Sequence, residues 1–161
     1  MAVDMFMHMG AKIKGEAKDS THKDEIDVLS WSWGMSQSGT FHTGGGGGAG
    51  KVSMQDLTFT KWVDSASHAL MLHCSTGDHI PEIKLTVRKA GRNPLEYIII
   101  TMKKCMVTSY QTGGSGGEDQ LTENVSINFA WVSFDYVKQK DDGSGEAARK
   151  FAYDIEANKE A

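Results

Sequence analysis

Residues 27–36 read Asp27-Val28-Leu29-Ser30-Trp31-Ser32-Trp33-Gly34-Met35-Ser36, and their period is two. Leu29, Trp31, Trp33 and Met35 fall on one side of an extended chain, while Ser30, Ser32, Gly34 and Ser36 fall on the other. That alternation marks a half-buried strand, with one face in a core and the other in water. It recurs where Val125, Ile127, Phe129 and Trp131 alternate with Asn124, Ser126, Asn128 and Ala130, and where Ile83, Leu85 and Val87 alternate with Lys84, Thr86 and Arg88. Residues 5–13, 52–62, 95–110 and 150–156 complete the strands. In 95–110 the run Ile98-Ile99-Ile100 is apolar on both faces, as a strand needs when it is covered on both sides or bends from one sheet to another. Core is the expected place for Trp31, Trp33 and Trp131.

One segment reads as a helix. Asp64 can cap its first turn, Ser65 to Cys74 follow without glycine or proline, and Ala66, Leu70 and Cys74 stack at four-residue spacing before Gly77 supplies a left-handed stop. Many strands with one short helix predict a mainly β chain, a closed or nearly closed barrel or sandwich in one domain. The 161 residues suit one domain over 1–161.

Composition narrows the function. Seventeen Lys and Arg against 21 Asp and Glu give a net charge of −4 with no basic run, which argues against nucleic acid or an anionic membrane as the main partner. No stretch approaches the length of a membrane span, and the amino terminus lacks the regions of a signal peptide, so synthesis in the cytoplasm is expected. Cys74 and Cys105 do not make a disulfide framework and read as buried free thiols.

Glycine is over-represented: seven of the 18 lie between Gly39 and Gly50, and four between Gly113 and Gly117. Both clusters interrupt strands, and residues 38–50 make a loop long enough to be functional or disordered. Residues 141–148 read as a third flexible connector. Gly45 to Lys51 imitates a phosphate-binding loop, but Val52 stands where a magnesium-binding hydroxyl belongs, and a strand-like segment follows instead of a helix. Gly113-Gly114-Ser115-Gly116-Gly117 formally matches a nucleophile elbow, yet lies in a turn between strands. His73, Cys74 and His79 have no metal-chelating spacing. Neither a catalytic residue, a metal site nor a cofactor is expected.

The wet strand faces are more informative. Ser30, Ser32, Gly34 and Ser36 on one strand, and Asn124, Ser126 and Asn128 on another, are small, polar and uncharged, where ordinary surfaces carry Lys and Glu. Such a face suits something sliding past it. The other reading is a small barrel that binds a ligand, such as a carbohydrate, between mobile loops.

Taken together, several stretches resemble the haemolysin-coregulated protein (Hcp) family, the tube subunit of the type VI secretion system. They are His22 with Glu25-Ile26-Asp27-Val28-Leu29, Trp31-Ser32-Trp33-Gly34, Gln37-Ser38-Gly39, the Gly44–Gly50 loop with Lys51-Val52, Gln55-Asp56 and Phe59-Thr60-Lys61. Further on come Cys74, Gly77, His79, Arg88-Lys89-Ala90-Gly91, Glu96-Tyr97, Gly113 to Glu118, Leu121 to Val125 and Asn128-Phe129-Ala130. The resemblance runs from residue 1 to about 140 and is weaker over the variable segment 141–161. His68 departs from it, where members often carry Pro.

The resemblance implies a single compact β-barrel of two sheets with one flanking α-helix. It implies six-membered rings that stack into a tube inside a contractile sheath, with spike and baseplate proteins as further partners and small effector proteins carried in the lumen. It also implies export without a signal peptide and no catalytic residues. On this expectation Ser30, Ser32, Asn124, Ser126 and Asn128 are candidates to face the channel. Gly39, Thr40, Phe41, His42, Gly44, Gly45, Gly46, Gly47, Gly48, Gly50 and Lys51 are candidates for a contact between subunits or stacked rings.

Overall fold

The computed structural model describes residues 2–43, 48 and 50–161. Their elements run β1 (Val3–His8), β2 (Ile26–Ser32), β3 (Met35–Ser36), β4 (Ser53–Met54), β5 (Leu57–Trp62), α1 (Ser67–Thr76), β6 (Ile80–Lys89), β7 (Leu95–Gly113), β8 (Thr122–Tyr136), β9 (Arg149–Asp154) and β10 (Lys159–Glu160). The order β8-β5-β2-β1-β6-β7, with β7 pairing back to β8, closes a six-stranded antiparallel barrel; β9 and β10 extend it beyond β8, and β3–β4 form a separate ribbon. The mainly β barrel with one helix is therefore as expected.

The two long strands change partners along their length within the one closed sheet. One edge of β8 pairs with β5 over Thr122–Ile127 and then with β9 over Trp131–Tyr136, while its other edge follows β7 throughout. In β7 only Leu95–Cys105 also pairs with β6. Ile98 and Ile100 pack on the core while Ile99 lies on the other face beside His22 and Glu96, so the run is covered on both sides, the first of the two expected alternatives. Inside, Leu57, Phe59, Leu85, Ile100, Met102, Val125, Ile127 and Val132 are no more than 1% exposed. Each contributes roughly 1.5–3 kcal/mol of apolar burial. Leu70 of α1 joins the same core, and Cys105 with it.

Several expectations need correction. In β2 the register passes from Val28↔Lys61 to Ser30↔Thr60, so Leu29 is an extra residue at a bulge. Ile26 and Val28 point inward before it and Trp31 after it, leaving Leu29 exposed on the outside. Counting by twos through a bulge inverts the face. Met35 is also exposed, because β3 belongs to the ribbon and not to the barrel. Trp31 and Trp33 pack on the core, but Trp131 does not. Its ring lies under the Lys103 ammonium, 4.5 Å from the centroid. The 52–62 strand breaks at Gln55-Asp56, and 141–148 is a hydrogen-bonded hairpin tip, with Lys140 N–H donating to Ser144 O (2.7 Å) and Glu146 N–H to Lys138 O (2.8 Å). Cys105 is buried, whereas Cys74 is half-buried.

The helix starts later than its sequence suggested, with Ala66 as the first cap residue. Asp64 accepts from Ala66 N–H (2.9 Å), and its own N–H donates to Ser67 Oγ (3.0 Å). Gly77 supplies the expected stop at φ 71°, donating to His73 O.

The first predicted strand ends at His8, not at residue 13. Residues 9–25 instead form a strap, with Met9, Ile13 and Ala17 buried beneath it. Gly15 N–H donates to Asp24 O (2.8 Å), Ala17 N–H to Glu25 O (3.0 Å) and Asp24 N–H to Ala17 O (2.9 Å). The strap explains why Thr86 and Arg88, on the supposedly wet face of β6, are buried. Arg88 makes two bonds to Asp19, of 2.7 and 3.0 Å, and one to Asp4. Those bonds to Arg88 hold the Asp19 carboxyl well below the usual carboxylate range.

A Cβ on Gly15 would stand 2.5 Å from Glu25 O and 2.7 Å from Ile26 Cα, both backbone atoms. Gly15→Ala is therefore expected to cost about 1–3 kcal/mol. An unchanged urea midpoint would show that the strap has room to move away.

Candidate functional site

The bulge leaves Ser30 and Ser32 outward, and β5 then joins them to the candidates on β8. Two rows cross the sheet: Ser30↔Thr60↔Asn124↔Gln111 and Ser32↔Thr58↔Ser126↔Ser109. Thr60 Oγ1 donates to Asn124 Oδ1 at 2.7 Å, and the hydroxyls of Thr58 and Ser126 lie 3.0 Å apart. Asn128 Nδ2 donates to Asp56 Oδ1 (2.8 Å) and Thr108 Oγ1 to Asp56 Oδ2 (2.7 Å), so both oxygens of that carboxylate are engaged. All five strand residues predicted for this face thus come together in one wall of hydroxyls and amides.

Thr58 and Thr60 complete the wall and were not singled out from the sequence. Their signal was available, since they alternate with Leu57, Phe59 and Lys61. Thr108 is the extra residue where the β7 register shifts between Val107 and Ser109, which no pattern in the sequence marks.

The other outer face has a different chemistry. There the cross-strand row is Glu82↔Lys103↔Trp131↔Asp154, followed by Lys84↔Thr101↔Ser133↔Ala152. One side of the barrel is nearly free of charge and the other is an ordinary charged surface.

Beneath the uncharged wall, Lys61 and Glu123 are cross-strand partners whose side chains point inward and are fully buried. Lys61 Nζ donates to Glu123 Oε1, to Trp62 O (2.8 Å) and to Asp64 Oδ1 (2.8 Å). Ser67 Oγ donates to the same Glu123 oxygen (2.6 Å), and the Tyr110 hydroxyl donates to the other. Burial pushes the Glu123 carboxyl up, but the bonds from Lys61, Ser67 and Tyr110 outweigh it and hold the group below the usual carboxylate range. Burial, then the bond to Glu123, pushes the Tyr110 phenol up to about 12. The network ties the start of α1 to the wall, with three partners on Lys61 Nζ and at least one on each Glu123 oxygen.

The ribbon leaves one end of the barrel. Met35 pairs with Met54 and Ser36 with Ser53, and Gln55 N–H donates to Gly34 O (2.9 Å). Beyond them Gly39 N–H donates to Gln37 O (3.1 Å), Thr40 Oγ1 donates to Gly48 O (3.2 Å), and Phe41–Thr43 form a 3-10 turn. Phe41 is 85% exposed, His42 and Lys51 are exposed, and Gly50 lies against Ser38. Gly44, Gly45, Gly46 and Gly47 fall outside the described residues. Lys51 leads into β4 and not into a helix, so the phosphate-loop likeness is one of composition. At the opposite end of β5, Trp62, Val63 and Leu121 form an exposed apolar group, joined by Val63 N–H to Leu121 O (2.8 Å).

Gly113 to Gly117 lie where β7 gives way to the β8 hairpin, which is no setting for a nucleophile elbow. Among the described residues, no group of three or more His, Cys, Asp or Glu is placed to hold a metal ion, and no helix is long and apolar enough to cross a membrane.

The architecture is a closed β-barrel with one nearly uncharged wall, a buried ion network and a projecting ribbon. The family model described as type VI secretion system effector, Hcp, matches residues 6–136, and the chain belongs to that family. It is 58% identical to Protein hcp1 of Pseudomonas aeruginosa over all of both chains. A solved structure of a type six secretion system protein superposes with a TM-score of 0.93 at 29% identity, covering 99% of this chain and 100% of the other. Hcp1 from Salmonella typhimurium gives 0.81 at 36% identity over 100% of both. A type VI secretion system effector from Yersinia pestis gives 0.78 at 32%, over 94% of this chain and 100% of that one. The protein is thus a component of type VI secretion, from a family of structural secreted tube proteins and not of enzymes.

Proposed function

We propose that six copies close into a ring whose channel is lined by the β2–β5–β8–β7 wall, that rings stack into the ejected inner tube, and that small effector proteins travel in the channel. The observation that carries this reading is the contrast between the two outer faces. A channel for protein cargo must be wetted, yet a strongly charged wall would hold some cargoes and repel others. Ser30, Ser32, Thr58, Thr60, Asn124, Ser126 and Asn128 offer hydrogen bonds without net charge.

The same sheet supports ring closure. On the side away from β5, Ser30 to Ser32 have no strand partner among the described residues, and neither has the Ser109–Gly113 edge of β7 away from β8. Two different free edges favour a head-to-tail join between copies, which closes into a ring when the rotation allows it. The ribbon residues Gly39 to His42, Gly44 to Gly48, Gly50 and Lys51 then reach the next ring. The Trp62, Val63 and Leu121 group at the far end of β5 is an apolar counterpart for Phe41. The charged outer face is left for the sheath, and the spike and baseplate meet the ends of the tube. The subunit is made in the cytoplasm and leaves through the type VI system.

Replacing Ser32 by Arg, or Ser126 by Glu, tests the channel assignment. Native mass spectrometry is expected to find the ring intact in both variants, while effector co-purification falls at least about tenfold, the loss of one or more hydrogen bonds to cargo. Unchanged retention in both would remove this face from the channel.

A further inference from the structure

Besides the Asp19–Arg88 bonds, the end of the strap is fastened to β7 at one ring. His22 Nδ1 lies 2.8 Å from Glu25 Oε2, and Nε2 lies 2.6 Å from Glu96 Oε1 at the start of β7. The imidazole stacks on Phe6, with centroids 4.6 Å apart and planes 11° from parallel, and the residue is only 8% exposed. Its backbone N–H donates to Asp19 Oδ2 at 3.2 Å. A neutral imidazole has one N–H and one lone pair, and an ionised carboxylate only accepts. Two carboxylates on the two nitrogens are therefore both satisfied only by the imidazolium. With one proton gone, one nitrogen presents a lone pair to a carboxylate oxygen at hydrogen-bond distance.

We propose that His22 is a proton-operated latch: the doubly protonated ring clamps the 9–25 strap to β7 through Glu96, and loss of one proton releases that end of the strap from the barrel. The surrounding charges favour the clamped form. Asp19 and Glu25 face the ring's surroundings from the strap, Asp4 and His8 from β1, Glu82, Lys84 and Arg88 from β6, and Glu96 from β7. Arg88 is engaged by Asp19 and Asp4, and its guanidinium stands 5.1 Å from the centroid of the Phe6 ring on which His22 stacks. Burial by itself lowers the His22 pKa, but the bonds to Glu96 and Glu25 outweigh it, and the folded protein holds the group above its ordinary value. The sign follows from that direction. A raised pKa stabilises the closed strap fully below the ordinary histidine range, and the contribution is lost as pH rises through the folded value. The strap thus loosens around His22 on the alkaline side, exposing the face of Phe6 on which that ring stacks, while Asp19 keeps its hold on Arg88.

Amide hydrogen exchange of the full chain tests the latch, read at Gly15, Ala17 and Asp24 and corrected for intrinsic rates, from about pH 5.5 to about pH 9. Strap opening is expected to rise severalfold as pH passes upward through the titration of His22. His22→Gln removes that pH dependence, Glu96→Gln moves it to lower pH, and His8→Gln leaves it in place. Nitrogen NMR of the wild-type ring should find both nitrogens protonated near pH 6. A neutral ring there, flat protection across the range, or the same profile in His22→Gln would overturn the proposal. The wild-type measurements decide it even where a variant fails to fold.

Discussion

Lys61→Ala is expected to remove about 3–5 kcal/mol of stability, because it strands the Glu123 carboxylate in the barrel interior without its cation. Burial of a lone charge is the dominant cost; the lost methylenes of the lysine add to it. A second variant separates the two. Lys61→Met with Glu123→Leu removes both charges and should recover most of the loss, though the hydroxyls of Ser67 and Tyr110 then lose their shared acceptor. The pH profile carries an independent sign. Glu123 titrates below the usual carboxylate range in the folded chain, so its contribution is present above that range and disappears as pH falls through the folded value. Denaturant titrations at neutral and acidic pH measure both effects. A loss under about 1 kcal/mol for Lys61→Ala would mean that water or a relaxed Glu123 replaces the cation.

Deleting Gly44 to Gly48 should abolish stacking while leaving the barrel folded. A shorter loop costs less to close, so the unfolding midpoint is expected to change by less than about 1 kcal/mol equivalent. The glycine run has the opposite effect between rings. If the ribbon joins stacked rings as proposed, the entropy lost in fixing it, roughly 1–2 kcal/mol per residue, would keep that contact reversible. Tube length seen by negative-stain microscopy should fall at least about tenfold, with single rings still present. Phe41→Asp provides the same test without changing chain length, since that ring is exposed at the ribbon's turn. Tubes of normal length from both variants would assign stacking to another surface.

How much the sequence revealed depended on whether a pattern ran unbroken. Ile83, Leu85 and Val87, and Val125, Ile127 and Phe129, alternate without interruption and point inward as expected. Leu29 was assigned to the wrong face because one inserted residue reverses the alternation, and the insertion is visible only against Lys61 and Thr60 on the partner strand. Arg88 looked solvated because its partner, Asp19, lies 69 residues away on a strap with no strand or helix period of its own. Lys61 and Glu123 sit at inward positions of their strands, yet a charged residue at an inward position reads as an exception until its counter-ion is seen opposite. The five wall residues on β2 and β8 were legible for the converse reason. Small uncharged side chains in strict alternation are unusual on a surface, and strand pairing then brings them together.

The burial of Cys105 has a consequence for the proposed export. Burial pushes its thiol up to about 12, so at neutral pH almost none of it is the reactive thiolate. It is that form which attacks oxidants and exchangeable disulfides, and the residue is 1% exposed besides. On passing from a reducing compartment to an oxidising one, this position keeps its covalent state. On the proposed export route, Cys105 would therefore form no cross-link between copies.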